Sequence, residues 1–369
     1  MLRFDAFTVW DNPVVKERLS WYYSVMKNLK PAKFLICKKI PCSINIKEAN
    51  EEELWKEHER LSQEFRDLFK KVSLGNLKIS ELKSPPINFL DLKFELLNRM
   101  LRHCTFCEWR CKVDRIEGIR KGACRMDATT RVASWFHHFG EEAPLVGLGG
   151  SGTIFFAGCI FRCVFCQNWD ISQYPLNGAE VDGRRLALIM KNLREEGACN
   201  INFVGGEPTP NLHTIIDGVR YLNVNVPLLW NSDMYATEEF MKILVDVIDI
   251  WLPDFKYGND KCALRLSKVL RYFDTVARNH IIASKNGDII IRHLVLPNHF
   301  ECCTKIVLKW IADSCPRALV NIMAQYRPDY RVCEEPKKYG DIARRPSTDE
   351  MRRAYKYAEE LKLIYEPVS

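Results

Sequence analysis

The spacing of apolar positions divides the chain into two textures. Along residues 1–88 they recur at helical steps. Asn12-Pro13 opens a helix in which Val15, Leu19, Tyr22, Met26 and Leu29 follow at intervals of four and three, until Pro31 stops it. Lys33 to Ile40 reads as a short strand. Asn50 and Glu53 have the spacing of a capping box, and Leu54, Leu61, Phe65, Leu68 and Val72 then share one face of a longer helix. Ser84-Pro85-Pro86 interrupts the pattern as a linker. The segment carries no recognisable chemistry and is expected to be a mostly helical extension for packing or docking.

Residues 89–146 form a cysteine-rich segment that opens with a short helix from Leu92 to Leu101. After Gly147 the pattern becomes an alternation. Apolar runs at 153–158, 200–204, 227–230, 249–253, 289–296 and 318–324 have the length of strands buried on both faces. Helical patterns lie between them at Arg184 to Glu196, Asn211 to Leu222, Thr237 to Ile248, Ala263 to Ala283 and Cys303 to Ser314. This predicts an α/β fold with a parallel sheet and right-handed crossovers over residues 147–335. Six units fall short of the eight of a closed barrel, so a partial, six-stranded barrel and a doubly wound sheet both fit. Ser347 to Leu363 reads as an amphipathic helix in the last segment, 336–369.

Composition narrows the class. A chain of 369 residues with 47% apolar and 27% charged positions can bury a real core, which excludes a disordered tail, a collagen-like repeat and a stapled mini-protein. The net charge of +7 is too mild to argue for a nucleic-acid partner and does not exclude one. Met1 to Pro13 lacks the apolar core of a signal peptide, and no stretch has the roughly 18 uninterrupted apolar residues of a membrane span. A cytoplasmic location without membrane contact is expected. Fifteen cysteines in a reducing compartment point to metal or catalysis before disulfides.

The sharpest motif is Cys159-x3-Cys163-x2-Cys166, directly after the first predicted strand of the alternation, where α/β barrels place their chemistry. Three thiolates in eight residues suit three irons of a 4Fe–4S cluster and leave the fourth iron open. Upstream, Cys104-x2-Cys107-x3-Cys111-x12-Cys124 supplies four thiols, enough to close a site around zinc or a second iron–sulfur cluster; unmetallated thiols remain the alternative. The other eight cysteines (Cys37, Cys42, Cys199, Cys262, Cys302, Cys303, Cys315 and Cys333) read as small core side chains, Cys302-Cys303 having no partner at ligand spacing. His137 and His138 are neighbours that point to opposite sides of an extended segment, which makes them structural.

The cysteine loop resembles the defining motif of the radical S-adenosylmethionine (SAM) enzymes. Gly205-Gly206-Glu207-Pro208 after the second strand is similar to their SAM-binding motif. Asp254-Phe255-Lys256 after the fourth resembles the Asp-x-Lys of glycyl-radical-enzyme activating enzymes. The strings GSGTIFFAGCIFRCVFCQN, LPDFKYG, IIRHLVLPN and NIMAQYRP are similar to those of homologues of pyruvate formate-lyase-activating enzyme, over residues 89–335.

The resemblance implies a partial (β/α)6 TIM-like barrel carrying the N-terminal extension and the cysteine-rich segment. It also implies that Cys159, Cys163 and Cys166 hold a 4Fe–4S cluster to which SAM binds. Glu207 would then accept hydrogen bonds from the SAM ammonium while Gly205 and Gly206 allow close approach. Lys256 would neutralise the SAM carboxylate, with Asp254 orienting it or holding a cation. Phe165 is expected against the adenine, Asn231 and Ser232 at the ribose, and Gln325 and Tyr326 as substrate contacts. Of Arg292 and His293, whose directions alternate, His293 is expected to face the pocket.

The implied reaction is reductive cleavage of SAM to a 5′-deoxyadenosyl radical that takes hydrogen from a protein or other substrate. Its electron would come from a low-potential donor of the flavodoxin or ferredoxin type. Modification of a peptide, tRNA or metabolite is the alternative within the superfamily. A non-catalytic iron–sulfur electron carrier is the alternative outside it, and a carrier has no use for Gly205-Gly206-Glu207 or Lys256.

Overall fold

The computed structural model describes residues 3–369; Met1 and Leu2, at the start of the stretch read for a signal peptide, lie outside them. The strands are β1 (Thr130–His138), β2 (Ser151–Phe156), β3 (Ala179–Val181), β4 (Ile201–Gly205), β5 (Leu228–Trp230), β6 (Ile250–Trp251), β7 (Asp288–Leu294) and β8 (Leu319–Met323). They form one eight-stranded sheet in the order β3-β1-β2-β4-β5-β6-β7-β8. From β2 to β8 every neighbour is parallel and follows in chain order. A doubly wound sheet would reverse direction at a switch point; steady winding in one direction is that of a barrel wall. The structure is therefore a partial barrel of six parallel strands, extended at one edge by the antiparallel β1 and β3. Those two strands were not foreseen. β3 is three residues long, and β1 carries half-exposed Trp135 and Phe136 with polar neighbours, so neither shows a continuous apolar run.

Three expected elements change. Lys33–Cys37 is a helical turn and not a strand, because the segment packs against the helices Glu51–Ser73 and Phe89–Arg102 instead of pairing with a strand. The first helix divides at Leu19 into Pro13–Arg18 and Ser20–Met26, and Leu29 is exposed. The span from Ala263 to Ala283 divides into Asp260–Ser267 and Tyr272–Asn286, with Lys268 and Arg271 between them in the left-handed region (φ +60° and +48°). The capping box at Asn50 and Glu53 is present and starts the helix Glu51–Ser73.

The N-terminal helices close the barrel at the N-terminal ends of its strands. Trp21 donates to Asp249 (2.8 Å), the Tyr22 amide to Asp288 (2.8 Å) and the Ala32 amide to Asn225 (2.8 Å), while Asn200 donates to the Tyr22 hydroxyl (2.9 Å). Each of these acceptors or donors sits at or just before the start of a parallel strand. Val9, Val15, Leu19 and Tyr22 pack in one cluster with Leu229, Ile250, Ile290 and Leu319, one residue from each of β5 to β8. The extension thus fills the floor of an unclosed barrel, leaving the C-terminal strand ends free for chemistry.

A buried ion pair ties this layer to the barrel's outer helices. The Lys93 ammonium, fully buried, donates to Asp246 (2.9 Å) and to the Ile243 carbonyl (2.8 Å), and lies 3.0 Å from His58 Nε2. Burial and then the Lys93 charge hold His58 well below its ordinary pKa, so it is neutral. Asp246→Ala would leave the ammonium buried without its counter-charge and is expected to cost about 3–5 kcal/mol in anaerobic urea unfolding. Lys93→Met combined with Asp246→Leu should recover most of that loss.

Candidate active site

The C-terminal ends of β2, β4, β5, β6 and β7 converge on one site. After β2 the chain turns through Gly158 into the cysteine loop. Cys159 and Cys163 are buried and Cys166 is partly exposed. The Phe161 amide points at Cys159 Sγ (3.3 Å), Ser267 Oγ lies 3.0 Å from Cys163 Sγ, and Ser172 Oγ lies 3.2 Å from Cys166 Sγ. Each sulfur therefore has a hydrogen-bonding neighbour, which is how a protein tunes a thiolate-held cluster. The loop is further fixed from outside: the Val164 and Arg162 amides donate to the carbonyls of Leu266 and Ser267, and Trp109 of the cysteine-rich segment donates to the Ile160 carbonyl (2.9 Å). Buried thiols on a loop anchored from both sides fit a three-cysteine cluster.

Gly205 brings β4 against this loop. It has φ +117°, and a Cβ there would lie 2.2 Å from the Phe156 amide nitrogen, so no side chain is tolerated. Glu207 follows and is buried. Its Oε1 accepts from Ser232 Oγ (2.6 Å) and from Thr209, and its Oε2 from the Asp233 amide (2.9 Å). Burial, reinforced by Asp233, pushes its carboxyl up to about 7. Glu207, expected at the SAM ammonium, is placed by these bonds, which join the turn after β4 to the turn after β5.

That turn presents a residue sequence reading passed over. Asp233 directs Oδ1 to the Lys256 ammonium (2.5 Å) and Oδ2 towards Cys159 Sγ (3.8 Å). Lys256 also donates to Asp254, which accepts from Arg292 Nε (2.7 Å). Arg292 in turn donates to Asn231 and faces Glu141 at 3.8 Å. Burial opposes the charge of Asp254, but Arg292 and Lys256 outweigh it and hold its carboxyl at about 2. Burial likewise opposes the Lys256 charge, and Asp233 and Asp254 outweigh it, so the ammonium is held firmly protonated. The triplet Asn231-Ser232-Asp233 at a strand end was the available signal for Asp233.

The structure reverses the choice between Arg292 and His293. Ile290 and Arg292 face the barrel interior, and His293 faces outward, where its ring nitrogens meet the Phe255 carbonyl (2.7 Å) and Thr304 Oγ1 (2.9 Å). Since β7 is apolar on both faces, its pattern gives no parity. Below Arg292 lies a cavity of about 550 Å³ whose walls include Glu141, Glu142, Asn321 and Gln325. Asn202 donates to Glu141 and Asn321 to Glu142, while Glu142 Oε2 has no partner. Tyr326 bonds the Ile342 carbonyl and meets the Phe165 ring edge-on at 5.6 Å, so these two shield the loop from the far side.

The upstream thiols also gather. Burial, followed by the proximity of Cys124, Cys104 and Cys111, pushes the Cys107 thiol well up, and the Ala123 amide donates to Cys111 Sγ (3.3 Å). Arg110, Lys112 and Arg125 adopt positive φ, bending the segment around the thiols.

A winding of six parallel strands with three thiols, two glycines and an ion-paired lysine at their C-terminal ends defines a class, and comparison agrees. Residues 153–311 match the Radical SAM superfamily, and the chain belongs to that superfamily. Its members use a 4Fe–4S cluster and SAM. The chain is 42% identical over 357 residues to the uncharacterized protein MJ0674 of Methanocaldococcus jannaschii, covering 95% of this chain and 100% of that one. It is 25% identical over 170 residues to pyruvate formate-lyase 1-activating enzyme of Escherichia coli, covering 44% of this chain and 67% of that enzyme. Among solved structures it is similar to Streptococcus suis SuiB bound to precursor peptide SuiA, at a TM-score of 0.40 and 14% identity, over 56% of this chain and 46% of SuiB. Among the described residues, no helix is long and apolar enough to cross a membrane.

Arg292→Met removes the partner of Asp254 and Asn231 and is expected to lower SAM cleavage more than about tenfold, whereas His293→Gln should stay within about twofold. Anaerobic quantification of 5′-deoxyadenosine for both variants checks this; the opposite ranking would reverse the assignment of the two faces.

Proposed function

We propose that this enzyme cleaves SAM reductively and uses the radical to abstract hydrogen from a protein or other substrate, in the manner of pyruvate formate-lyase-activating enzyme. The observation that carries the reading is the largely enclosed Lys256, its side chain 14% exposed, held between Asp233 and Asp254 at the strand ends facing the cysteine loop. Cys159, Cys163 and Cys166 would hold the cluster, which with SAM supplies a 5′-deoxyadenosyl radical when reduced.

The chain's own residues supply position and charge. Lys256 offers a fixed cation for a carboxylate, and its two aspartates keep it protonated and in place. Gly205 and Gly206 let the end of β4 lie directly against β2 and the start of the cysteine loop, where a Cβ would clash, and so bring its backbone beside the cofactor. Glu207 holds the Ser232-Asp233 turn, so that Asp233 and Asn231 point inward. Phe165 and Tyr326 cover the loop, which limits access of water and oxygen. The cavity beneath Arg292, with Gln325 in its wall, is the proposed reach of the substrate. A flavodoxin- or ferredoxin-type protein is the proposed electron source, and Cys104, Cys107, Cys111 and Cys124 are proposed to hold a second metal centre. The partial match to the Escherichia coli activating enzyme supports the subgroup.

With protein reconstituted in iron and sulfide, reductant and SAM should yield 5′-deoxyadenosine in the wild type and at least about a hundredfold less in Cys163→Ala, with the fold retained. Undiminished cleavage by the variant would remove the cluster assignment.

A further inference from the structure

Cys262, Cys302 and Cys303, expected to be core side chains, come together with His299. One ligand atom from each lies within 4.8 Å of all the others, the one such group of at least three metal-ligating side chains among the described residues. The group is assembled from two segments. Cys262 sits in the first turn of the helix Asp260–Ser267, and His299 immediately precedes the π-helical turn Phe300–Thr304 that carries the other two. Gly258 allows the segments to meet, since a Cβ there would lie 2.7 Å from the Cys302 carbonyl oxygen. Asn259 closes the join by donating to that same carbonyl (2.7 Å) and accepting from the Cys262 amide (2.9 Å).

The distances have the dimensions of one coordinated ion. With Zn–S about 2.3 Å and Zn–N about 2.0–2.1 Å, the edges of a tetrahedron are about 3.8 Å between sulfurs and about 3.6 Å between sulfur and nitrogen. Here Cys262 Sγ and Cys302 Sγ are 3.9 Å apart, and His299 Nδ1 lies 3.7, 3.4 and 3.7 Å from the sulfurs of Cys262, Cys302 and Cys303. Four atoms this close leave room for one ion and none for a cube of four irons. The imidazole is also braced as a metal ligand should be: Nε2 faces Asp341 Oδ2 at 3.1 Å, and Arg265 pairs with the same carboxylate. Three thiols and one imidazole, the four ligands found together among the described residues, make a closed, structural set.

The geometry points to a structural Cys3His zinc site formed by Cys262, His299, Cys302 and Cys303. Its effect follows from what the clamped helix carries. Ser267, on the same helix as Cys262, places Oγ 3.0 Å from Cys163 Sγ, and Leu266 and Ser267 accept from the amides of the cysteine loop. Tyr257 reaches the same Ser267 hydroxyl from the side of Cys303 (2.5 Å). Zinc would hold this helix against the π turn and so fix the wall of the catalytic loop.

The test uses the full chain, purified anaerobically from zinc-supplemented medium. Elemental analysis should find about one zinc fewer per chain in Cys302→Ser/Cys303→Ser than in wild type. Because that variant could unfold, wild-type protein is also alkylated and mapped by mass spectrometry. Cys262, Cys302 and Cys303 should be protected until 1,10-phenanthroline is added, while exposed Cys333 reacts throughout. Cobalt in place of zinc should give tetrahedral ligand-field bands with sulfur-to-cobalt charge transfer. Equal zinc in both proteins, alkylation indifferent to chelator, a disulfide between Cys262 and Cys302, or iron with sulfide in the site would each overturn the proposal. None of these readouts depends on SAM cleavage.

Discussion

The interior of this barrel is held by a ladder of alternating charge. Glu141, Arg292, Asp254, Lys256 and Asp233 follow one another from the lower part of the interior to the cysteine loop, each within contact of the next. Burial works against the charge of each of them, and the alternation holds Asp254 ionised and Lys256 protonated. Such a chain is poor value as stabilisation, since well-packed apolar residues would do as well or better. What it provides is a fixed cation at a chosen depth. Removing one rung would leave its neighbours as uncompensated buried charge, so the ends of β5, β6 and β7 are ordered together.

That order needs a floor and a wall. Six parallel strands do not close, and a partial barrel left open at its lower end would admit water to the ladder. The first helices cover most of that end by satisfying the polar starts of the strands with Trp21, Tyr22 and Ala32 and by packing apolar side chains against one residue from each of four strands. One cavity bordered by Arg3, Asp5 and Asn12 still reaches Glu141 and Arg292. At the other end the wall is set by backbone contact. Gly205 presses β4 onto the end of β2, so the loop that carries the thiols and the turn that carries Glu207 have a common position.

The chain's pattern made the core legible and left its details hidden, for physical reasons. Long apolar runs marked all six parallel strands because strands buried on both faces are apolar throughout. The same property erased the parity of β7, so Arg292 and His293 were exchanged. β1 stayed invisible because one part of it is solvated. The cysteine loop, the glycine pair and Lys256 were legible because their chemistry lies within a few residues of one strand end. Asp233 was missed although it stands beside Ser232, since a lone aspartate gives no signal until Lys256, 23 residues later, meets it. Cys262 was missed for the same reason on a larger scale: 36 residues separate it from His299, and only the fold makes them neighbours.

The three cysteine groups therefore differ in what brings them together. Cys159, Cys163 and Cys166 are local, on a single loop whose shape is imposed by its neighbours. Cys104, Cys107, Cys111 and Cys124 are local too, but their segment reaches the same loop through Trp109 and the Ile160 carbonyl. The Cys262 group is assembled across two crossover segments and reaches the loop from the opposite side through Ser267. A reactive loop that must exclude water is not rigid by its own hydrogen bonds alone, because the Arg162 and Val164 amides donate to a neighbouring helix. Both outlying groups lie on the elements that supply those neighbours. Stiffness at the reaction centre is in this reading borrowed from cysteines that never touch it.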